Sequence, residues 1–267
     1  MSGEFLTMAF PPATDANLRG EFASFLSASA DVELAVTEAP TYERTAAVLH
    51  EGQAQLAWLA PIPYIALSAA GVVAPLVYNE RARKTYCSAL IVPADSHVKR
   101  VADLRGARVA WVDRHSAAGF VVPRIELAKA GVDPRTELAE QTFAGSHERV
   151  AQAVAEGSVD FGATFAHREE GGAVTGPWKE RTRVIATFGK IPSDLIVAHN
   201  ALDMALRVRI TRALRAMNAD ETGRRIVREL FEVERFRLLD AEDYDALQAI
   251  ARDARDQGLL EEPQNPA

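Results

Sequence analysis

Short apolar runs alternate with amphipathic segments along most of the chain. In its first third, each strand-like run is followed by a segment whose apolar residues have helical spacing. The predicted strands are EFLTMAF, VELAVT, QLAWL and VVAPLVY, and the predicted helices cover residues 17–29, 41–51 and 62–70. Single helices between strands are typical of parallel β-α-β units, so the pattern predicts an α/β fold.

The middle of the chain repeats this pattern, and the last quarter is helical. Two groups of strands and helices favour two lobes, with chain crossings at KTYCSALIV and TFGKIPSDLIV. We predict a first lobe from residues 1–85 and 190–267 and a second from residues 86–189. Each lobe is expected to be a mostly parallel sheet flanked by helices, with a ligand cleft between the lobes.

Composition and charge exclude several classes of protein. The chain has 267 residues, of which 48% are hydrophobic, enough for a substantial core. A net charge of -7, with Lys and Arg spread along the chain, argues against nucleic-acid binding. The single cysteine, Cys87, excludes an internal disulfide and a cysteine-based metal site.

No stretch reaches the roughly 20 consecutive apolar residues of a membrane span, so no membrane insertion is expected. The N-terminal segment MSGEFLTMAFPPATDAN lacks the basic and apolar regions of a secretory signal. A cytoplasmic location is expected if this N-terminus is the natural one, and an exported location if a leader was removed.

The segment after the strand ARVAWV predicts a helix start suited to an anion. Its small residues leave backbone amides accessible, and the first amides of a helix have no acceptor within the helix. These amides and the helix dipole attract negative charge, and a serine hydroxyl adds a donor. The alternative is that this serine only caps the helix. The residues concerned are Ser116, Ala117, Ala118 and Gly119.

A second helix start has a similar design. In TFAGSHERVAQAVAEG, a strand is followed by Gly145, Ser146 and His147, and then by a helix. A histidine at this position can donate a ring N–H to an anion beside the free amides. Alternatively, it is a surface histidine next to a serine cap.

Other chemistry has little support in the sequence. The six histidines show no HExxH or His-x-His spacing, so no metal site is expected. GxSxG, Walker and early GxGxxG motifs are absent, and no acid/base pair stands out. We therefore expect a non-catalytic protein without a cofactor.

Several motifs, taken in order, resemble the substrate-binding proteins of phosphonate, phosphite and phosphate ABC importers. They are TYERTAAVLHEGQAQLAWLAPIPY, TYCSALIVPADS, DLRGARVAWVDRHSAAGFVVP, GSHERVAQAVAEGSVD and IPSDLIVAH. The resemblance covers nearly the whole chain and implies the type II periplasmic-binding-protein fold. In that family, tyrosines from one lobe and a serine-rich helix start with a histidine from the other enclose the phosphoryl oxygens.

The resemblance implies roles for five individual residues. Tyr42 matches the first-lobe tyrosine, and Tyr86 matches the tyrosine at the lobe crossing. Ser116 matches the first serine of the DPxSxSG turn, and His147 matches the histidine of the GSH turn. Asp194 resembles the acid that faces a ligand's amino substituent.

Two departures from the family pattern affect the expected ligand. Ala117 and Ala118 stand where family turns carry further hydroxyls, and losing such a donor to a charged group weakens binding by about tenfold or more. Near Ala166 and His167, a second acid expected for 2-aminoethylphosphonate is missing. That ligand is therefore less favoured than other phosphonates.

The resemblance implies a monomeric solute-binding protein that captures a small phosphorus oxyanion for an ABC importer. Its partners would be a small anionic ligand and, if the protein is exported, an ABC permease. Two alternatives stay open: a cytoplasmic ligand-sensing receptor on the same fold, and a cofactor-biosynthesis enzyme that has recruited it.

Overall fold

The computed structural model describes residues 4–81, 85–169, 171–178 and 180–260. The chain divides into two compact units. Unit 1 contains the described residues of 4–81 and 193–248, and unit 2 those of 85–192 and 249–260. The lobe boundaries expected from the sequence stay a prediction.

The helices and strands are numbered in chain order. The first part of the chain forms β1 (Glu4–Phe10), α1 (Ala16–Ala30), β2 (Val32–Glu38), α2 (Tyr42–His50), β3 (Leu56–Leu59), α3 (Pro61–Ala69), β4 (Val73–Glu80), β5 (Thr85–Pro93) and β6 (Arg108–Trp111). The remainder forms α4 (Val122–Lys129), β7 (Glu140–Phe143), α5 (His147–Ala155), β8 (Phe161–Arg168), β9 (Val174–Thr175), β10 (Thr182–Phe188), β11 (Leu195–His199), α6 (Met204–Ala216), α7 (Glu221–Leu230), β12 (Arg235–Arg237) and α8 (Ala241–Asp256). A short 3₁₀ helix spans Val101–Leu104, and a π-helix spans Ala117–Val121.

Unit 1 is built on a six-stranded sheet in the order β12-β4-β11-β3-β1-β2. β1 pairs in parallel with β2 and β3, whereas β11 is antiparallel to β3 and β4. Its core contains a cluster of aromatic rings whose neighbouring centroids are 4.8 to 6.4 Å apart. The cluster consists of Phe10, Phe22, Trp58, Phe231 and Phe236. Burial of these rings is a large favourable contribution to folding.

Unit 2 has a sheet in the order β10-β5-β8-β6-β7, and β9 pairs with β8. β6 is parallel to both β7 and β8, whereas β5 is antiparallel to β8 and β10. The apolar face of α5 is buried in this unit through Val150, Ala151 and Val154. Gly162 in β8 allows α5 to approach closely, because a Cβ atom there would lie 2.5 Å from Cγ1 of Val150.

The α/β class and most predicted helices and strands are confirmed, but both sheets are mixed rather than mostly parallel. In each sheet, antiparallel pairings outnumber parallel ones. The reason is the chain path: β5 and β11 enter their sheets at the crossings, without the crossover helix that makes neighbouring strands parallel. The strands β9 and β12 have only two and three residues, too few for a periodic signal.

Across the described parts of the chain, every helix is too short or too polar to cross a membrane.

Candidate functional site

Two helix starts lie at the same edge of the unit 2 sheet. Because β6, β7 and β8 are mutually parallel, their carboxyl ends meet at one edge, which we call the carboxyl edge of unit 2. The turn after β6 leads to Ser116, and the turn after β7 leads to Ser146. A backbone hydrogen bond of 2.9 Å from Gly145 N to Val112 O joins the two turns directly.

The first turn begins a π-helix, not a regular α-helix. Ser116 is its N-cap, and Ser116 Oγ accepts the Gly119 N–H at 3.0 Å. Val121 N donates to Ser116 O at 3.0 Å, five residues back. Ser116 thus caps the helix, and this leaves the serine hydroxyl proton available as a donor; its role towards a ligand stays a prediction.

Gly119 and Pro123 explain this wider turn. In an α-helix the Gly119 carbonyl would accept the N–H of residue 123, but proline has none. Instead, the Gly119 carbonyl accepts the N–H of Val112 at 3.2 Å. Only glycine fits here, since a Cβ atom on residue 119 would lie 2.3 Å from Cγ2 of Val112 and 2.9 Å from Ser116 Oγ.

The backbone N–H groups of Ala117 and Ala118 donate to no acceptor among the described residues. The expectation that these small residues leave the turn exposed is wrong: Ala117 is 5% exposed and Ala118 is 1% exposed. Packing of the π-helix against β5 and β8 buries them. Because unpaired N–H groups in buried segments are rare in native proteins, these two indicate a missing acceptor.

The second turn begins a regular α-helix. Ser146 is the N-cap of α5, and Ser146 Oγ accepts the Arg149 N–H at 3.2 Å. His147 is the first residue of the helix, and no described residue accepts the backbone N–H of His147 or Glu148. These amides form a second cluster of donors at the carboxyl edge of unit 2.

Hydrogen bonds define the donor and acceptor sides of the His147 ring. His147 Nδ1 lies 3.0 Å from Thr164 Oγ1 and accepts the backbone N–H of Phe165 at 3.3 Å. This assigns the ring proton to Nε2, for which the described residues supply no partner. Burial lowers the pKa of His147 to about 4, so at neutral pH the ring is an uncharged N–H donor.

Aromatic side chains continue this edge towards β5. Tyr86 is half-buried and stacks on Phe165 with ring centroids 5.8 Å apart, and its ring lies 5.6 Å from that of His167. Phe165 in turn contacts the His147 ring edge-on at 4.9 Å. Tyr86 and His147 therefore both contact the Phe165 ring, which lies between them.

Charged side chains lie in and around the first turn. The guanidinium of Arg124 is buried 5.0 Å from the Phe120 ring, and its Nη1 donates to Gln141 Oε1 at 2.6 Å. Asp113 accepts the backbone N–H of His115 at 2.7 Å within the turn itself. The turn itself thus contains Asp113 and Arg114, and the buried cation Arg124 lies in the following helix, α4.

Tyr42 and Asp194 belong to unit 1. Tyr42 is the half-buried first residue of α2, which follows β2. Asp194 directly precedes β11; its Oδ2 accepts the indole N–H of Trp58 at 3.1 Å and lies 3.8 Å from Nη2 of Arg81. Burial raises the pKa of Asp194, while Arg81 and Trp58 act in the opposite direction.

The carboxyl edge of unit 2 brings together seven of the nine candidate residues. These are Tyr86, Ser116, Ala117, Ala118, Gly119, Ser146 and His147. Sequence reasoning missed the residues that orient them from within the sheet, Thr164 and Ser88, and the part that Pro123 plays in widening the first turn. A hydroxyl inside an apolar strand and a proline four residues after a glycine were the available signals.

No group of three His, Cys, Asp or Glu side chains in the described ranges is placed to hold a metal ion.

A family model of ABC transporter phosphonate periplasmic substrate-binding proteins matches residues 7–244. That range is most of the chain and includes every candidate residue discussed above.

Solved structures with similar folds support the same architecture. XAC2383 of Xanthomonas citri, bound to ATP, has a TM-score of 0.82 at 20% identity, covering 97% of this chain and 100% of that one. PhnD1 of Prochlorococcus marinus, in complex with methylphosphonate, has a TM-score of 0.78 at 15% identity, with coverage of 96% and 99%. The binding protein SsuA of Xanthomonas axonopodis, bound to MOPS, has a TM-score of 0.65 at 19% identity, with coverage of 98% and 96%. The fold is thus that of type II periplasmic binding proteins.

Proposed function

The chain belongs to the phosphonate periplasmic substrate-binding protein family of ABC transporters, and from this premise we propose that it captures a small phosphorus oxyanion at the carboxyl edge of unit 2. Phosphonate, phosphite and phosphate share a PO3 group on a tetrahedral phosphorus, and this edge would bind the oxygens of that group. The ligand is then delivered to an ABC permease without chemical change.

The observation that carries this proposal is the set of unused donors. The N–H groups of Ala117 and Ala118 and Nε2 of His147 lack an acceptor among the described residues, and all three belong to turns at one edge. An oxyanion would accept hydrogen bonds from these groups and would benefit from the dipoles of both helices.

Selectivity would come from directed hydrogen bonds, since the donors themselves are uncharged. His147 stays neutral at pH 7 because burial lowers its pKa to about 4. Each hydrogen bond to a charged oxygen contributes about 1.5 to 3 kcal/mol, so three together would contribute about 4.5 to 9 kcal/mol, which corresponds to dissociation constants between about 0.5 mM and just below 1 μM.

The expected substituent on phosphorus is small and uncharged rather than an aminoalkyl group. An ammonium group needs an available carboxylate, but in β8 of unit 2 Ala166 and His167 stand where an acid is expected for 2-aminoethylphosphonate. We therefore expect methylphosphonate, phosphite and phosphate to bind more tightly than 2-aminoethylphosphonate.

Calorimetric titration of ligand-stripped protein tests the proposal. We expect heat of binding with at least one of phosphate, phosphite and methylphosphonate, and a weaker response with 2-aminoethylphosphonate. Absence of binding to all four in a folded sample would contradict the proposed ligand class. Phosphorus NMR of the ligand after prolonged incubation should show it unchanged, whereas turnover would favour an enzyme.

A matched pair of histidine variants locates the site. His147→Ala should weaken binding by about tenfold or more, because it removes one donor to a charged group. His50→Ala changes an exposed histidine at the end of α2 in unit 1 and should leave binding unchanged. Equal effects of the two substitutions would contradict this location.

A further inference from the structure

Two buried hydroxyl groups contact the two helix starts from within the sheet of unit 2. Ser88 in β5 and Thr164 in β8 are each 0% exposed. They occupy adjacent strands, where Ser88 pairs with Phe165 and Ala89 pairs with Thr164. A buried hydroxyl is costly unless it is hydrogen-bonded, so the partners of these two groups indicate why polar residues interrupt apolar strands.

Ser88 orients the peptide groups of the first turn. Ser88 Oγ donates to Ala118 O at 2.7 Å, while the N–H of the same peptide group, that of Gly119, donates to Ser116 Oγ. This peptide is therefore held at both ends. In the preceding peptide, Ala117 O accepts the Val122 N–H, which leaves the Ala118 N–H as its unused polar group.

Thr164 orients the imidazole of the second turn. Thr164 Oγ1 lies 3.0 Å from His147 Nδ1, which also accepts the Phe165 N–H. Because Nδ1 is occupied as an acceptor, the ring proton remains on Nε2, on the opposite side of the ring.

We propose that Ser88 and Thr164 are positioning residues: two buried hydroxyls that direct the donors of the two helix starts towards one bound anion. The inference rests on the proposed function, since it assumes that this anion is bound there. It adds that affinity depends on groups that never touch the ligand, because they hold its donors in place before binding.

Substitutions of Thr164 test the imidazole half of the proposal. Thr164→Val keeps the shape and removes the hydroxyl, and we expect it to weaken methylphosphonate binding by about tenfold. Thr164→Ser keeps the hydroxyl and should stay within about threefold of the wild type. Thr142→Val is the matched control: its hydroxyl donates to Val109 O on the neighbouring strand and contacts neither helix start.

Substitution of Ser88 tests the backbone half. Ser88→Ala should weaken methylphosphonate binding by about five- to tenfold, because the Ala118 carbonyl loses its donor. Ser158→Ala is its control, since Ser158 Oγ donates to Ala153 O near the end of α5, away from both turns.

If Thr164→Val fails to fold, Thr164→Ala removes the same hydroxyl with less steric demand.

A spectroscopic measurement separates positioning from general stability. Nitrogen-15 NMR of the ligand-free wild type should show His147 protonated at Nε2, and Thr164→Val should raise the population protonated at Nδ1. Thr142→Val should leave the tautomer of His147 unchanged, and its only effect should be a lower melting temperature. Wild-type affinity in Thr164→Val would overturn the positioning role of Thr164, and wild-type affinity in Ser88→Ala would overturn that of Ser88.

The same experiments distinguish this inference from the proposed function. If the wild type binds none of methylphosphonate, phosphite and phosphate, the proposed function fails and the positioning role fails with it. If the wild type binds but the hydroxyl variants bind equally well, only the positioning role fails.

Discussion

The two helix starts of unit 2 achieve a similar chemistry in different ways. The turn after β6 is buried, and its unused donors are the backbone N–H groups of Ala117 and Ala118. The turn after β7 is more exposed, and its distinctive donor is the side chain of His147. Both are capped by a serine whose Oγ accepts a backbone N–H three residues later.

This comparison separates what each turn requires of the sequence. A backbone donor depends on the path of the chain, so the first turn needs Gly119 and Pro123 to shape it, and the side chains at 117 and 118 need only be small. A side-chain donor depends on residue type and ring orientation, so the second turn needs His147 itself. Substitutions that distort the first turn should therefore reduce both binding and stability, whereas substitution of His147 should mainly reduce binding.

The largest effect is expected from Gly119→Ala. The added Cβ would lie within 2.9 Å of both Val112 and Ser116, and relief of this overlap must move the turn. Misplacing two donors to a charged group should weaken methylphosphonate binding by about 100-fold or more. Overpacking should also lower the free energy of unfolding by about 1–3 kcal/mol.

Gly20→Ala is the control for that substitution. Gly20 lies inside α1 of unit 1, and a Cβ atom there would meet no heavy atom within 4 Å. Alanine at this helix position should raise the free energy of unfolding by about 0.5–1 kcal/mol without affecting binding. Titration calorimetry and urea denaturation measure both quantities, and normal binding by Gly119→Ala would refute the importance of the buried turn.

The next largest effect is expected from His147→Gln. Glutamine keeps a polar side chain but not the geometry of the imidazole, so we expect methylphosphonate binding about tenfold weaker. Unlike Gly119→Ala, this substitution adds no Cβ atom to a turn, so we expect the melting temperature to stay within a few degrees of the wild type. A large loss of stability with normal affinity would assign His147 a structural role.

The lowered pKa of His147 also predicts that the free energy of unfolding depends on pH. In the unfolded chain its imidazole takes up a proton near pH 6.5, whereas in the folded protein burial lowers its pKa to about 4. Between these values the unfolded state binds one more proton, so the free energy of unfolding falls as the pH is lowered. His147→Gln should flatten the dependence between pH 6.5 and 4 in urea denaturation, whereas His50→Gln should not.

A smaller effect is expected from Pro123→Ala. Alanine restores an N–H at residue 123, which can donate to the Gly119 carbonyl and so compete with Val112 for it. Conversion of the π-helix to a regular helix would rotate the amides of Ala117 and Ala118. We expect about fivefold weaker methylphosphonate binding, since part of each hydrogen bond is retained. An unchanged affinity would show that the wider turn is not needed.

Much of the carboxyl edge of unit 2 was predictable from the sequence. What was not predictable has physical causes. Apolar strands followed by small residues and a serine located both helix starts, because capping and strand patterns are local in sequence. The partners of Ser88 and Thr164 were not predictable, since they lie 30 and 17 residues away along the chain. Burial of Ala117 and Ala118 was missed for the same reason: it depends on packing against β5 and β8, which no local pattern encodes.

The smallest effect is expected from Ala117→Ser, which adds a hydroxyl at one of the two alanines that stand where the turns of phosphonate-binding proteins carry further hydroxyls. A further donor to a charged oxygen is favourable, but residue 117 is only 5% exposed, so the new hydroxyl is costly in the ligand-free protein. These effects largely offset each other, and we expect methylphosphonate binding to tighten by about threefold. A gain of 30-fold or more in calorimetric titration would show that backbone donors alone leave the first turn incomplete, and that its side chains matter as much as those of the second.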